Sequence, residues 1–439
     1  MSKVVKFGGS SLASAEQFKK VGNIIRADKE RKYVVPSAPG KRFSNDTKVT
    51  DMLYACYDLA DQGKSFKAEL DAIKARYQEI IDGLKLDLDL SEEFGTIEKN
   101  FKAKSGNNYA ASRGEYLNGI IMANYLGYDF IDAATVIFFD ENGEFDAAKT
   151  NEVLRARLAE SKEAVVPGFY GSMPDGTVKT FSRGGSDITG SIVAKAAKAD
   201  VYENWTDVSG FLIADPRIID HPEAIETITY RELRELAYMG ATVLHEDAIF
   251  PVRQEGIPIN IRNTNAPEDK GTLIVEDTCR KPRFTITGIA GKKDFASITI
   301  EKAMMNSEVG FCRKVLEVFE NNNVSIEHMP SGIDTMTIFV HRDEFEEKEQ
   351  DVIAGIHRAV EPDFLELESD LALIAVVGRG MRATRGTSGR IFAALAHANV
   401  NVKMIDQGSS ELNIIIGVRS HDFDAAINAI YDIFVKTMI

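Results

Sequence analysis

Short runs of β-branched and aromatic residues alternate with stretches whose apolar positions recur every three or four residues, and the rhythm holds to about Pro282. Such alternation predicts a parallel or mostly parallel sheet covered by helices on both faces. Val4 to Phe7, Tyr33 to Val35, Val165 to Val166, Val201 to Trp205 and Ile257 to Ile261 are the strand candidates. After the first, Ser14 and Gln17 form a Ser-x-x-Gln capping box, and Phe18, Val21, Ile24 and Ile25 follow at helical spacing. The charged stretch from Asp58 to Lys104 predicts two or more solvent-facing helices. Met173-Pro174-Asp175-Gly176 predicts a tight hairpin turn.

Beyond the basic stretch Arg280-Lys281-Pro282-Arg283 the rhythm changes, and one pattern appears twice. The first copy reads strand (Ala296 to Ile300), helix (Val309 to Asn322), strand (Ser325 to Met329), strand (Thr335 to His341), helix (Glu346 to Val360) and strand (Phe364 to Glu368). The second reads strand (Leu371 to Val377), helix (Thr387 to Asn399), strand (Val402 to Gln407), strand (Glu411 to Arg419) and helix (Asp422 to Phe434), and then lacks its last strand. Asn321-Asn322-Asn323-Val324-Ser325-Ile326 matches His397-Ala398-Asn399-Val400-Asn401-Val402, which predicts a duplication. A missing last strand leaves an open sheet edge, and the run from Thr285 to Ala290 is the candidate to fill it. The expected division is residues 1–283, then a βαββαβ unit over 292–369 inserted within a second made of 284–291 and 370–439.

A formal net charge of −15 over 439 residues argues against broad phosphate-backbone binding and hence against nucleic acid as a partner. A small polyanion in one local basic pocket remains compatible. Cys56, Cys279 and Cys312 have neither disulfide-framework nor metal-ligand spacing and read as buried small hydrophobes in a reducing compartment. No metal-ligand spacing surrounds His245 or the other histidines, so no protein-borne metal site is expected. No stretch approaches 18 apolar residues, and a cytoplasmic protein with no membrane partner is expected.

Three glycine turns, each closing a strand and opening a helix, carry the candidate chemistry: Lys6-Phe7-Gly8-Gly9-Ser10-Ser11, Ser37-Ala38-Pro39-Gly40 and Arg183-Gly184-Gly185-Ser186-Asp187. Glycines at helix N-termini let backbone N–H groups approach an anion, and Lys6 and Arg183 add full positive charge. No P-loop run occurs, so the cradle is of another kind. Read alone, each residue also has a plain structural role. Lys6 is a strand-end lysine, Asp187 an N-cap, Asp207 a loop cap, and Glu115 a first-turn dipole complement just before a helix starting at Tyr116.

Taken with Val49-Thr50-Asp51-Met52-Leu53, Arg113-Gly114-Glu115, Thr206-Asp207-Val208, Asp215-Pro216-Arg217 and Gly240-Ala241-Thr242-Val243-Leu244-His245, these turns resemble the aspartate kinases of the amino-acid kinase family, in the family's order. The resemblance implies a three-layer αβα sandwich with a mostly parallel sheet, followed by two ACT domains. It implies ATP-dependent phosphorylation of the β-carboxylate of L-aspartate to β-aspartyl phosphate, with Mg carried by the nucleotide, at the entry to lysine, threonine and methionine synthesis. By the same resemblance, Lys6, Gly8, Gly9, Ser10 and Ser37 hold the phosphoryl group; Thr50, Glu115, Arg183 and Ser186 bind aspartate; Asp187 organises the centre; Thr206, Asp207 and Arg217 bind the nucleotide. A feedback amino acid, lysine first and threonine behind it, is expected against Met304, Ser307, Gly310, Phe311, Val324, Ser325, Glu327 and Ser331, in a homodimer or homotetramer. The chain departs from the family pattern at Thr242, where Lys is frequent, at Glu246, where Pro is frequent, at Leu212, where Tyr is frequent, and at Gly332, often acidic. A relative acting on glutamate or UMP, and an amino-acid-sensing protein with an inactive kinase domain, are the alternative readings.

Overall fold

A computed structural model describes residues 2–182, 184–241, 250–278 and 282–437. Arg183, Thr242, His245, Glu246 and Cys279 therefore lie outside the described residues. The chain divides into two compact units, one of residues 1–211, 226–230 and 243–278, the other of residues 212–225, 231–242 and 279–439.

In the first unit the strands are β1 (Lys3–Phe7), β2 (Arg31–Pro36), β3 (Asp129–Phe130), β4 (Ala164–Val165), β5 (Tyr170–Ser172), β6 (Val178–Thr180), β7 (Val201–Thr206), β8 (Thr227–Thr229), β9 (Ile259–Asn263) and β10 (Thr272–Val275). Among the described residues eight of them form one sheet in the order β3-β4-β2-β1-β7-β9-β10-β8, parallel except where β10 meets β9. The helices are α1 (Ala15–Arg26), α2 (Val49–Asp61), α3 (Lys67–Leu84), α4 (Ser91–Lys102), α5 (Asn107–Leu126), α6 (Ala147–Glu160), α7 (Gly185–Ala197), α8 (Tyr230–Tyr238, whose residues from 231 on group with the second unit) and α9 (Phe250–Gln254). The predicted hairpin is β5-β6, turned at Gly176 with φ 83°.

Two local expectations change. Ser14 Oγ accepts from the Gln17 N–H at 3.4 Å, but the Gln17 amide turns to Asn265, so only half of the capping box forms. The charged stretch from Asp58 to Lys104 is not merely solvent-facing. Leu70, Ile73, Tyr77, Ile80, Phe94, Ile97 and Phe101 recur at three- and four-residue spacing and join the buried core with α1, α2 and α5. Their charged neighbours occupy the opposite face, which hides the stripe from a reading by composition.

The second unit carries β11 (Gly288–Glu301), β12 (Thr335–His341), β13 (Phe364–Val377), β14 (Met404–Asp406) and β15 (Asn413–Arg419), in sheet order β12-β11-β13-β15-β14 and antiparallel throughout. Its helices include α10 (Phe311–Asn321), α11 (Arg342–Phe345), α12 (Glu349–Val360), α13 (Thr387–His397) and α14 (Phe423–Tyr431). Gly288 to Lys292 pairs with Leu373 to Val377, the edge that the second copy leaves without a strand of its own. The repeat is visible in the backbone: Asp294 and Asp370, Gly310 and Gly386, and Asn323 and Asn399 all have left-handed φ between 51° and 86°, each pair at the same separation. The predicted strand from Ser325 to Met329 does not form. That segment makes only isolated bridges, His328 to Phe339 and Ser331 to Met336, on the outer side of β12.

Candidate active site

The glycine turns meet backbone against backbone. Gly40 N–H donates to the Gly9 carbonyl at 2.8 Å, Ser37 N–H to Phe7 at 3.0 Å, and Gly8 N–H to Trp205 at 3.1 Å. A Cβ on Gly40 would stand 2.6 Å from the Gly9 carbonyl carbon, and one on Gly9 2.9 Å from the Ala38 carbonyl oxygen. Glycine is required here because backbone atoms cannot give way. Gly40→Ala is expected to part the two turns and raise the KM for ATP about tenfold, with the thermal midpoint moving only a few degrees. Steady-state kinetics with a melting curve separates the two effects. The third turn joins through Gly168, whose N–H donates to Pro36 at 3.2 Å and whose missing Cβ leaves room for Ser186.

Lys6 ends β1 with its side chain only 9% exposed, and its Nζ lies 2.5 Å from Asp187 Oδ1. Asp187 sits in the first turn of α7, where no side chain caps the helix; Gly184, at φ 72°, is the N-cap residue. The carboxylate is thus directed at Lys6 rather than at its own helix. The same Oδ1 accepts from Asn204 Nδ2 at 2.8 Å, and Tyr202 Oη donates to the Asp187 carbonyl at 3.2 Å.

Glu115 is a correction to the sequence reading. Ser112-Arg113-Gly114 lies inside α5, so Glu115 is a mid-helix residue, 5% exposed, and no first-turn dipole complement. Burial pushes its carboxyl up from 4.5 to about 8; N–H groups of Ala38 and of its own backbone, and the charges of Lys6 and Arg113, oppose the shift. Its Oε2 is buried and has no hydrogen-bond partner. A buried carboxyl oxygen without a donor is costly unless a ligand supplies one. Thr50, in the first turn of α2, approaches Gly114, one residue from Glu115. On the same face of α5, Asn118 Nδ2 donates to the Ser37 carbonyl at 2.6 Å. Asn118, Tyr202 and Asn204 are not legible in the sequence, since polar residues within a helix or strand carry no local signal of their partners.

Ser10 is exposed, whereas Ser11 is buried and shares a 2.8 Å hydrogen bond with Thr264. Thr206, at the end of β7, lies 3.1 Å from Asp207 Oδ1 through its hydroxyl. Arg217 belongs to the second unit and folds onto Asp215, with its guanidinium 2.5 Å from a carboxylate oxygen; Leu212 is partly exposed in that unit. A separate cavity of about 660 Å³, walled by Phe139, Phe145, Phe181, Ile188 and Ile192, holds none of the candidate residues except through its neighbourhood on α7. Cys56 is buried, its thiol pushed up to about 12 by desolvation, but Cys312 is exposed, which corrects the expectation for that residue.

In the second unit the segment from Met304 meets Ile333 and Asp334, residues just beyond the expected effector positions. Met304 N–H donates to Asp334 Oδ1 at 3.0 Å and Asn306 N–H to the Ile333 carbonyl at 3.1 Å. Met304 is exposed, Ser307 ends a short 3-10 turn, and Gly310 starts α10. Phe311 and Val324 instead face the core between α10 and the sheet, so their side chains are withdrawn from any effector in solvent. Ser325 N–H meets Glu344 at 3.4 Å, Ser331 bridges to Met336, and Glu327 accepts from Tyr238 Oη at 2.6 Å.

The amino acid kinase family profile matches residues 1–263, and an ACT domain profile matches residues 374–434. Aspartokinase 3 of Bacillus subtilis (strain 168) is 40% identical over 449 residues, covering 98% of each chain. The crystal structure of Clostridium acetobutylicum aspartate kinase is 53% identical, with a TM-score of 0.91 over 98% of this chain and 99% of that one. E. coli aspartokinase III in complex with aspartate and ADP shares the fold at 24% identity and a TM-score of 0.71, over 99% of both chains. The chain belongs to the amino acid kinase family and, within it, to the aspartokinases, ATP-dependent kinases, and it carries a C-terminal ACT region. No described helix is long and apolar enough to cross a membrane.

Proposed function

We propose that this aspartokinase transfers the γ-phosphoryl group of ATP to the β-carboxylate of L-aspartate in the niche between Lys6, Asp187 and Glu115. The observation that carries the reading is the convergence of these groups. A buried ammonium lies 2.5 Å from Asp187 and close enough to Glu115 to oppose the rise of its pKa, beside two glycine turns in backbone contact. A β-carboxylate oxygen attacks the γ-phosphorus, the bond to the β,γ-bridging oxygen breaks, and ADP departs. The nucleophile is already ionised, so no proton has to move. What remains for the protein is to position the reactants and neutralise spreading charge.

In this reading Lys6 and the amides near Gly8, Gly9, Ser10 and Ser37 receive the transferring group. Glu115, ionised on binding, takes the α-ammonium of aspartate through its unpartnered oxygen, with Thr50 and Ser186 beside it. Arg183 takes a substrate carboxylate, and Thr206 and Asp207 hold the nucleotide. An Mg²⁺ ion carried by the nucleotide would need only one or two carboxylates from the protein. Asp187 fits this ion, because its Oδ1 is taken up by Lys6 and Asn204 while no described donor meets Oδ2; when bound, the ion neutralises the phosphates. The cytoplasm, where ATP and free amino acids meet, is the compartment that suits this reaction.

Hydroxamate trapping of the acyl phosphate with MgATP and aspartate or glutamate, beside ADP release measured with UMP, tests the assignment. Turnover with aspartate alone is expected, and no product at saturating aspartate would overturn it.

For regulation, the segments around Met304 and Ser331 suit a feedback amino acid, lysine before threonine, with Glu327 for an ammonium. The same unit exposes Met304, Val309 at 98% and Ile333 at 70%, an apolar surface suited to a second copy of the chain in a homodimer or a tetramer. Because Glu327 must release Tyr238 to take an effector, Tyr238→Phe is expected to lower the half-inhibitory effector concentration about threefold. Inhibition curves with lysine and with threonine measure this, and superimposable curves would remove Glu327 from the effector site.

A further inference from the structure

We propose that Asn204 is a positioning residue for phosphoryl transfer, holding the Asp187 carboxylate so that one oxygen serves Lys6 and the other faces the substrates. The inference rests on the roles given above to Lys6 and Asp187. Asn204 stands on β7, directly opposite Lys6 on the neighbouring parallel strand β1, and is 3% exposed. A central parallel strand buried on both faces ordinarily carries Val or Ile at such a place. An amide there costs free energy unless its polar atoms are partnered.

Asn204 finds its partner in Asp187 Oδ1, 2.8 Å from Nδ2, the oxygen that also faces Lys6 Nζ at 2.5 Å. Two donors converge on one carboxylate oxygen from adjacent strands, which fixes the side-chain rotamer and points Oδ2 away from the sheet. The backbone is held by the same strand. Tyr202, two residues earlier on the same face, donates to the Asp187 carbonyl at 3.2 Å. Gly190 permits that approach, since a Cβ there would lie 2.3 Å from the Tyr202 hydroxyl. An Asp in the first turn of a helix otherwise tends to bind its own free N–H groups. In this protein β7 draws it out of that role.

Four variants test the proposal in the full-length protein with MgATP and aspartate: Asn204→Leu, Asn204→Ala, Asn204→Asp and, as a control on the underlying reading, Asp187→Asn. Removing the amide is expected to lower kcat about 10- to 100-fold, with the KM values for aspartate and ATP within about threefold of wild type. Asn204→Asp keeps the shape, withdraws the donor and places a second carboxylate beside Asp187, where like charges share a proton. The acid limb of its kcat–pH profile is expected to move to higher pH by about one unit or more, a change that a purely structural amide would not produce. Unaltered kcat in the Leu or Ala variant, a loss confined to KM, or an Asp variant whose pH profile matches wild type would each overturn the proposal. If Asn204→Leu does not fold, the near-isosteric Asp variant decides. Full activity in Asp187→Asn would overturn the reading of the site itself, whereas an inactive Asp187→Asn beside fully active Asn204 variants would overturn only the role of Asn204.

Discussion

Lys6→Ala is expected to lower kcat on the order of 1,000-fold while the KM for aspartate changes little. The charge that develops on the phosphoryl oxygens appears only as the reaction proceeds, so a group that neutralises it contributes to the transition state more than to substrate binding. The ammonium is held for that task before substrate arrives, 9% exposed and 2.5 Å from Asp187, and needs no reorganisation at the moment of transfer. Lys6→Arg should recover little, since the longer planar fork does not fit a point-charge site flanked by Asn204 and the glycine turns. Single-turnover rates of the variant and the wild type check the expectation. A Lys6→Ala enzyme with wild-type kcat would take the ammonium out of the chemistry.

Glu115→Gln is expected to raise the KM for aspartate about 10- to 100-fold, the effect of losing a charge-assisted contact to the substrate ammonium. The wild-type pH dependence supplies a second signature. With its carboxyl pushed up to about 8, Glu115 in the unliganded enzyme is mostly protonated at pH 7 and must lose that proton to hold a cation. The KM for aspartate should therefore fall as pH rises toward 8 and then level off, and the Gln variant should lose this dependence. Stability follows the opposite course. The folded pKa lies above the ordinary 4.5, so the contribution of Glu115 to stability is full below about 4.5 and is lost as pH climbs through about 8. Near pH 8, without substrate, Glu115→Gln should melt at a higher temperature than wild type. Equal melting temperatures across this range would show that the carboxyl is not desolvated.

How far the sequence could be read depended on whether each signal was local. The strands β1, β2, β4 and β7 and the turns at Gly8-Gly9 and Gly40 are local patterns, and the structure has them where the sequence predicts. The start of α5 was misplaced because Ser112-Arg113-Gly114 reads as a polar loop, whereas its polarity lines a buried functional face. The core of α3 and α4 was concealed by the charged residues interleaved with its apolar stripe. Asn204 could not be found at all without the register that sets it opposite Lys6. Phe311 opens α10 on the apolar face that it shares with Val315, Val318 and Phe319, and Val324 packs against the same core, so both turn inward.

β11 and β13 each run without a break through both halves of the regulatory sheet, and each bends at an aspartate in left-handed geometry, Asp294 and Asp370. The ladder between them shifts register over the same stretch, from Lys292 to Ser297. The repeated halves are thus joined by two antiparallel spars that share one irregular stretch, rather than by a loose tether. Neither half can be excised without cutting a spar and exposing a raw sheet edge to solvent.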